Sequence, residues 1–123
     1  MAITGTFQIN NWQENVTTNM ENNCKISSAA VAQSYDGDLV GTSQIHYQLY
    51  YNSEGNALFT GYEVISLSED LSKKIILQHQ GKFEGGSASA QFEVIECNFD
   101  ANLIGKTGSF ISKEGGQADY RIG

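Results

Sequence analysis

The sequence predicts an all-β fold, an eight-stranded antiparallel up-and-down barrel. Three observations predict it. Apolar and polar residues alternate with the strand period of two along nearly the whole chain. Clusters of Gly, Asn, Asp and Ser break that alternation at short intervals, as turns between strands do. No stretch carries the 3.6-residue period of an amphipathic helix, although 13–23 and Glu69-Asp70-Leu71 each have room for one turn.

Residues 2–12 form the first strand, with Ile3, Gly5, Phe7 and Ile9 on one face and Thr4, Thr6, Gln8 and Asn10 on the other. Trp12 falls on the polar parity, unless a bulge at Asn10-Asn11 intervenes. It is expected to pack under the following loop, with a cap over the barrel mouth or a subunit contact as alternatives. Residues 13–23 are polar and make the longest break in the pattern. Residues 24–35 resume the alternation, with Val31 and Tyr35 on one face, and Asp36-Gly37 is a hairpin turn signal.

Residues 38–51 are the clearest strand: Leu39, Ile45, Tyr47, Leu49 and Tyr51 alternate with Thr42, Gln44, His46 and Gln48. After a turn at 52–56, residues 57–67 place Phe59, Glu63, Ile65 and Leu67 on one face. After a turn at 68–70, residues 71–83 do the same with Ile75, Leu77, His79 and Phe83. A turn at 84–86 leads to 87–99, where Ala88, Ala90, Phe92 and Val94 share a face. Cys97 matches the parity of Ile95 and Phe99. Asp100-Ala101-Asn102 breaks the run. The last strands are 103–112 and 116–122, the latter with Ala118, Tyr120 and Ile122 facing one way.

A meander whose strands each have one apolar face must roll up or pair with a second sheet, and closure removes the exposed edges. A β-sandwich is the competing architecture. With 123 residues, no linker and no composition break, one domain over 1–123 is expected. At eight strands the interior is filled by side chains or holds one small ligand.

Composition narrows the function classes. The formal net charge is −7 with only seven basic residues, so neither nucleic acid nor an anionic membrane surface is an expected partner. No apolar run approaches the length of a membrane span, roughly 18 residues. The start, Met1 to Phe7, lacks the basic and apolar regions of a signal peptide, so a cytoplasmic location is expected. Cys24 and Cys97 are then free thiols. Two isolated cysteines and two isolated histidines have no metal-site spacing, so no metal is expected. There is no glycine-rich phosphate or dinucleotide loop before a helix, and no cofactor is expected.

Several motifs resemble those of a known family. Tyr35-Asp36-Gly37-Asp38-Leu39 leads to Gly41-Thr42-Ser43 and then to the aromatic Tyr47-Gln48-Leu49-Tyr50. Phe59, Gly61 and Glu63 follow at spacing two, then Leu77-Gln78-His79-Gln80-Gly81 with Phe83, and late in the chain Leu103, Gly105, Gly108 and Phe110. The order and spacing resemble a bacterial family of uncharacterised proteins with an allene-oxide-cyclase-like β-barrel. That resemblance implies a calycin-like barrel and no particular activity. The chain departs from the family pattern at 66–74, where Ser66-Leu67-Ser68-Glu69-Asp70 stands in place of a glycine-rich hairpin, which implies a reshaped loop.

Glu63 and His79 are the main chemical candidates. Each lies on the apolar face of its strand, and the strands are consecutive. An inward carboxylate beside an imidazole serves as a general acid/base pair, or as a self-satisfied buried pair that fixes strand register. Tyr35, Tyr47, Phe59 and Tyr120, with Glu63 and His79, are the expected lining of an internal ligand site; ordinary barrel core is the competing reading for the tyrosines.

Three functions follow in order: binding of one small, largely apolar molecule; a cyclase or isomerase in which Glu63 and His79 move a proton; and a ligand-free protein working through contacts between chains. Leu58, Tyr62 and Val64 form an outward apolar stripe, so a homo-oligomer is expected.

Overall fold

In the computed structural model, which describes residues 2–123, eight antiparallel strands form one sheet that closes in a ring. They are β1 (Ile3–Asn19), β2 (Lys25–Gly37), β3 (Gly41–Tyr51), β4 (Ala57–Leu67), β5 (Asp70–Glu84), β6 (Ser87–Cys97), β7 (Thr107–Lys113) and β8 (Gln117–Ile122). Each pairs with its neighbour in sequence, and β8 returns to β1. Two short 3₁₀ turns, Glu21–Asn23 and Ala101–Leu103, are the only helical elements among the described residues.

The turns after β1, β3, β5 and β7 define an upper end. The turns after β2, β4 and β6 define a lower end. Apolar parity puts Val31, Ile45, Leu77 and Val94 inside, and all are buried at 1% exposure or less. Ile65 and Ile75 complete this lower core. Each such side chain contributes roughly 1.5–3 kcal/mol through burial. Leu39, in the β2–β3 turn, is buried against the lower end, and its backbone N–H donates to the Tyr120 hydroxyl at 3.1 Å.

Glycines let core rings lie against bare backbone. A Cβ on Gly61 would collide with the His46 carbonyl oxygen and stand 2.8 Å from the Tyr47 ring; on Gly108 it would stand 2.6 Å from the Phe92 ring. Close approach of a ring to the neighbouring strand is the physical reason for glycine at these two motif positions.

The strand boundaries differ from the sequence reading in several places. The polar stretch 13–19 is a strand, because it continues β1 in a ribbon with the upper half of β2. The polar break shrinks to the turn at 20–24, where Asn22 and Asn23 take left-handed backbone conformations. Residues 38–40 and 103–106 are connections, and β3 and β7 begin only at Gly41 and Thr107.

Two bulges reverse parity. Ile9 pairs with Gln33 and Asn11 with Ala32, so Asn10 is skipped. Trp12, Glu14 and Val16 then stand opposite Val31, Ala29 and Ser27 and join the inner face. Ile76 pairs with Glu96 and Leu77 with Val94, so Ile95 is skipped. Cys97 is therefore buried while Ile95 and Phe99 are exposed, contrary to their matching parity in the sequence. The ring is also uneven: β8 accompanies β1 only from Ile3 to Gln8, and beyond Ile9 the β1 strand has β2 as its single strand neighbour.

Candidate functional site

The lower half of the interior brings Glu63, His79 and Tyr35 together. Glu63 sits on β4 opposite Ile45 and Leu77, with no solvent exposure. Its Oε2 accepts from the Tyr35 hydroxyl at 2.5 Å, and its Oε1 lies 2.6 Å from His79 Nε2. Tyr35 is the partner that sequence reasoning did not join to this pair. Burial first, and the Glu63 carboxylate second, push the Tyr35 pKa well above its ordinary value, so the hydroxyl stays a donor. Tyr47, Phe92 and Phe110 surround the imidazole with ring centroids 5.1–6.0 Å away. His79 Nδ1 is buried without a partner. Tyr120 packs edge-on against Tyr35, 5.2 Å between centroids.

The upper half holds an apolar cavity of about 460 Å³. Phe7, Leu49, Phe59, Phe83 and Phe110 give it its walls, and the turns after β5 and β7 contribute Gly86 and Gly116 to its rim. Of the six residues expected to line a ligand site, Tyr47 and Phe59 line this cavity. Tyr35, Glu63, His79 and Tyr120 do not; they pack below it.

The carboxylate on this cavity is Glu14, which sequence reasoning missed because it fell in the polar break. Its Oε2 accepts from the Ser27 hydroxyl at 2.5 Å and its Oε1 from Trp12 Nε1 at 2.9 Å. Burial raises the Glu14 pKa, but the hydrogen bonds from Ser27 and Trp12, with smaller contributions from Tyr51 and the Lys25 charge, outweigh it. The carboxyl therefore titrates below its ordinary 4.5. Burial and the Glu14 carboxylate together push the Tyr51 hydroxyl up to about 12. Trp12 lies beside Tyr47, 6.2 Å between centroids, so it stands at the cavity as one of the alternatives for it anticipated. The signal for Glu14 was present: after a bulge at Asn10, alternation places Trp12, Glu14 and Val16 on the inner face.

A larger concavity of about 1120 Å³ lies on the outside of the sheet, among outward residues such as His46, Gln48, Thr60 and Gln80. Its lining is mainly polar but includes Tyr47, Phe92 and the buried His79, whose Nδ1 has no partner. The apolar walls of the upper cavity make that the better candidate site for a largely apolar ligand.

A family model described as a protein of unknown function (DUF3224) matches residues 3–123. The chain belongs to the DUF3224 family. A crystal structure of a DUF3224 protein of unknown function from Shewanella oneidensis MR-1 superposes with a TM-score of 0.73 at 23% identity, covering 99% of this chain and 93% of that one. At that identity the likeness speaks for the DUF3224 fold alone. No curated protein matches the sequence. Membership of an uncharacterised family with an all-β fold thus agrees with the motif resemblance. Among the described residues, no helix is long and apolar enough to cross a membrane.

Proposed function

We propose that this DUF3224 protein is a small β-barrel of the allene-oxide-cyclase-like, calycin-like kind that binds one small, largely apolar molecule in its upper cavity. The observation that carries the reading is the cavity itself. Its volume of about 460 Å³ falls in the range of ligand pockets, roughly 300–1,000 Å³, and its walls are apolar with few polar groups. Proton transfer by Glu63 and His79 has less support. Both Glu63 oxygens are met by Tyr35 and His79, and the pair stands apart from the upper cavity. Self-association is a separate proposal, supported by the exposed stripe of Leu58, Tyr62 and Val64 on β4; a monomeric mass by light scattering at micromolar concentration excludes it.

The binding test uses the single tryptophan as reporter, since Trp12 is the only one in the chain and lies on the cavity. Titration with N-phenyl-naphthylamine, an apolar probe uncharged at neutral pH, is expected to quench Trp12 emission with one-site saturation. A linear, non-saturating response contradicts the reading.

A further inference from the structure

Glu14 narrows the class of molecule this cavity takes. An apolar occupant without donors would cover the carboxylate, strip its water and return nothing, an unfavourable exchange. An anionic occupant would add repulsion. A donor is required, and a cationic donor makes the stronger hydrogen bond.

The carboxylate is available for such a partner. None of the ion pairs among the described residues involves Glu14. Three lysines stand near this end of the molecule. The ammonium of Lys113, which also lines the cavity, lies 2.8 Å from Asp119 Oδ1, and that of Lys82 lies 3.5 Å from Glu84 Oε2. The Lys25 ammonium lies 4.8 Å from the centre of the Tyr51 ring and acts on Glu14 through its charge, without a direct ion pair. Ser27 and Trp12 fix the carboxylate by one hydrogen bond on each oxygen, and the Tyr51 hydroxyl contributes more weakly. The two oxygens, with about four lone-pair sites between them, keep room for a further donor. The indole of Trp12 adds an aromatic face beside the carboxylate, a surface that favours an organic cation. A second observation points the same way. Gln33, buried at 3% exposure, also lines the cavity, and its Oε1 has no hydrogen-bond partner. This is a buried acceptor without a donor, and an ammonium is made only of donors.

We propose that the cavity selects an amphiphile with a protonated amine, its ammonium against Glu14 and its apolar body in the space below. This rests on the cavity-binding reading above and adds the charge and polarity of the ligand.

The experiment displaces bound N-phenyl-naphthylamine with three chain-matched compounds: octylamine, octan-1-ol and octanoate. It is run at neutral pH and about 0.15 M salt, where a screening length of ~8 Å damps the protein's net charge. The expected order is octylamine, then octanol, then octanoate, with octylamine ahead of octanol by about tenfold or more, because the charge of an ammonium adds to the hydrogen bond that either donor makes to the carboxylate. In Glu14→Gln the lead of the amine over the alcohol disappears. Equal wild-type affinities, preference for octanoate, failure of all three to displace the probe, or an amine preference that survives in Glu14→Gln each overturn the proposal and leave the cavity reading standing. Failure of the probe itself to bind overturns both. The wild-type ranking decides the matter even if the variant does not fold.

Discussion

The two halves of the interior bury polar groups by opposite rules. In the lower half, Glu63 is fully enclosed, and both of its oxygens are met by side chains of the same chain, Tyr35 and His79. In the upper half, Glu14 is only half-buried, and it stands on a cavity rather than in packed core. A carboxylate closed off among its own donors serves the fold, while one braced at the wall of an apolar cavity is within reach of a bound molecule. Chemistry and burial alone favour Glu63 as a site; access to a cavity favours Glu14.

Substitutions separate the two roles. The largest effect is expected from Glu63→Ala, which leaves the Tyr35 hydroxyl and His79 Nε2 without an acceptor and opens a void. Urea melts are expected to show a loss of about 3–5 kcal/mol, the combined cost of two unpaired buried groups. Probe affinity of the folded fraction should stay at the wild-type value. Tyr35→Phe removes one donor and keeps the ring, so a smaller loss of about 1.5–3 kcal/mol is expected, as for one hydrogen bond to a charged acceptor. A value below about 0.5 kcal/mol, ordinary for surface sites, would mean that the pair does not depend on Tyr35.

Glu14→Gln should cost less than about 1 kcal/mol, as for partly exposed polar contacts. Its signature is a change in pH dependence. The folded-state pKa of Glu14 lies below the ordinary 4.5, so its contribution to stability is present above 4.5 and is lost as the pH falls through the lowered value. Wild-type stability should therefore decline more steeply with acid in that window than that of Glu14→Gln. Parallel acid profiles for the two proteins would show that Ser27 and Trp12 do not hold the carboxylate.

The same contrast explains what the sequence revealed. The inward placement of Glu63 and His79 was legible, because β4 and β5 keep strict period two between Phe59 and Ile65 and between Ile75 and His79. The eight-strand order was legible for the same reason, with turn residues marking each reversal. Tyr35 as third partner was not, since it joins Glu63 through the interior from β2, a contact that no local pattern encodes. The upper site was hidden by a single unpaired residue. Asn10 shifts the register of β1 and turns Trp12 and Glu14 inward, and the polar side chains that follow read as a loop. The bulge after Ile76 misplaced Cys97 in the same way. Period-two reading fails where one strand gains a residue that its partner lacks.

The central claim is that the upper cavity, and not the Glu63–His79 pair, is where this protein meets a ligand. Ala88 lines the cavity from β6, where a larger side chain would fill the space while Trp12 stays the only indole. The direct measurement is N-phenyl-naphthylamine affinity in wild type, Ala88→Phe and Glu63→Ala, each checked for fold by circular dichroism. The account predicts saturable binding in wild type and in folded Glu63→Ala, and at least about tenfold weaker binding in Ala88→Phe, a loss of about 1.4 kcal/mol. Undiminished binding in a folded Ala88→Phe, with binding lost in a folded Glu63→Ala, would contradict it.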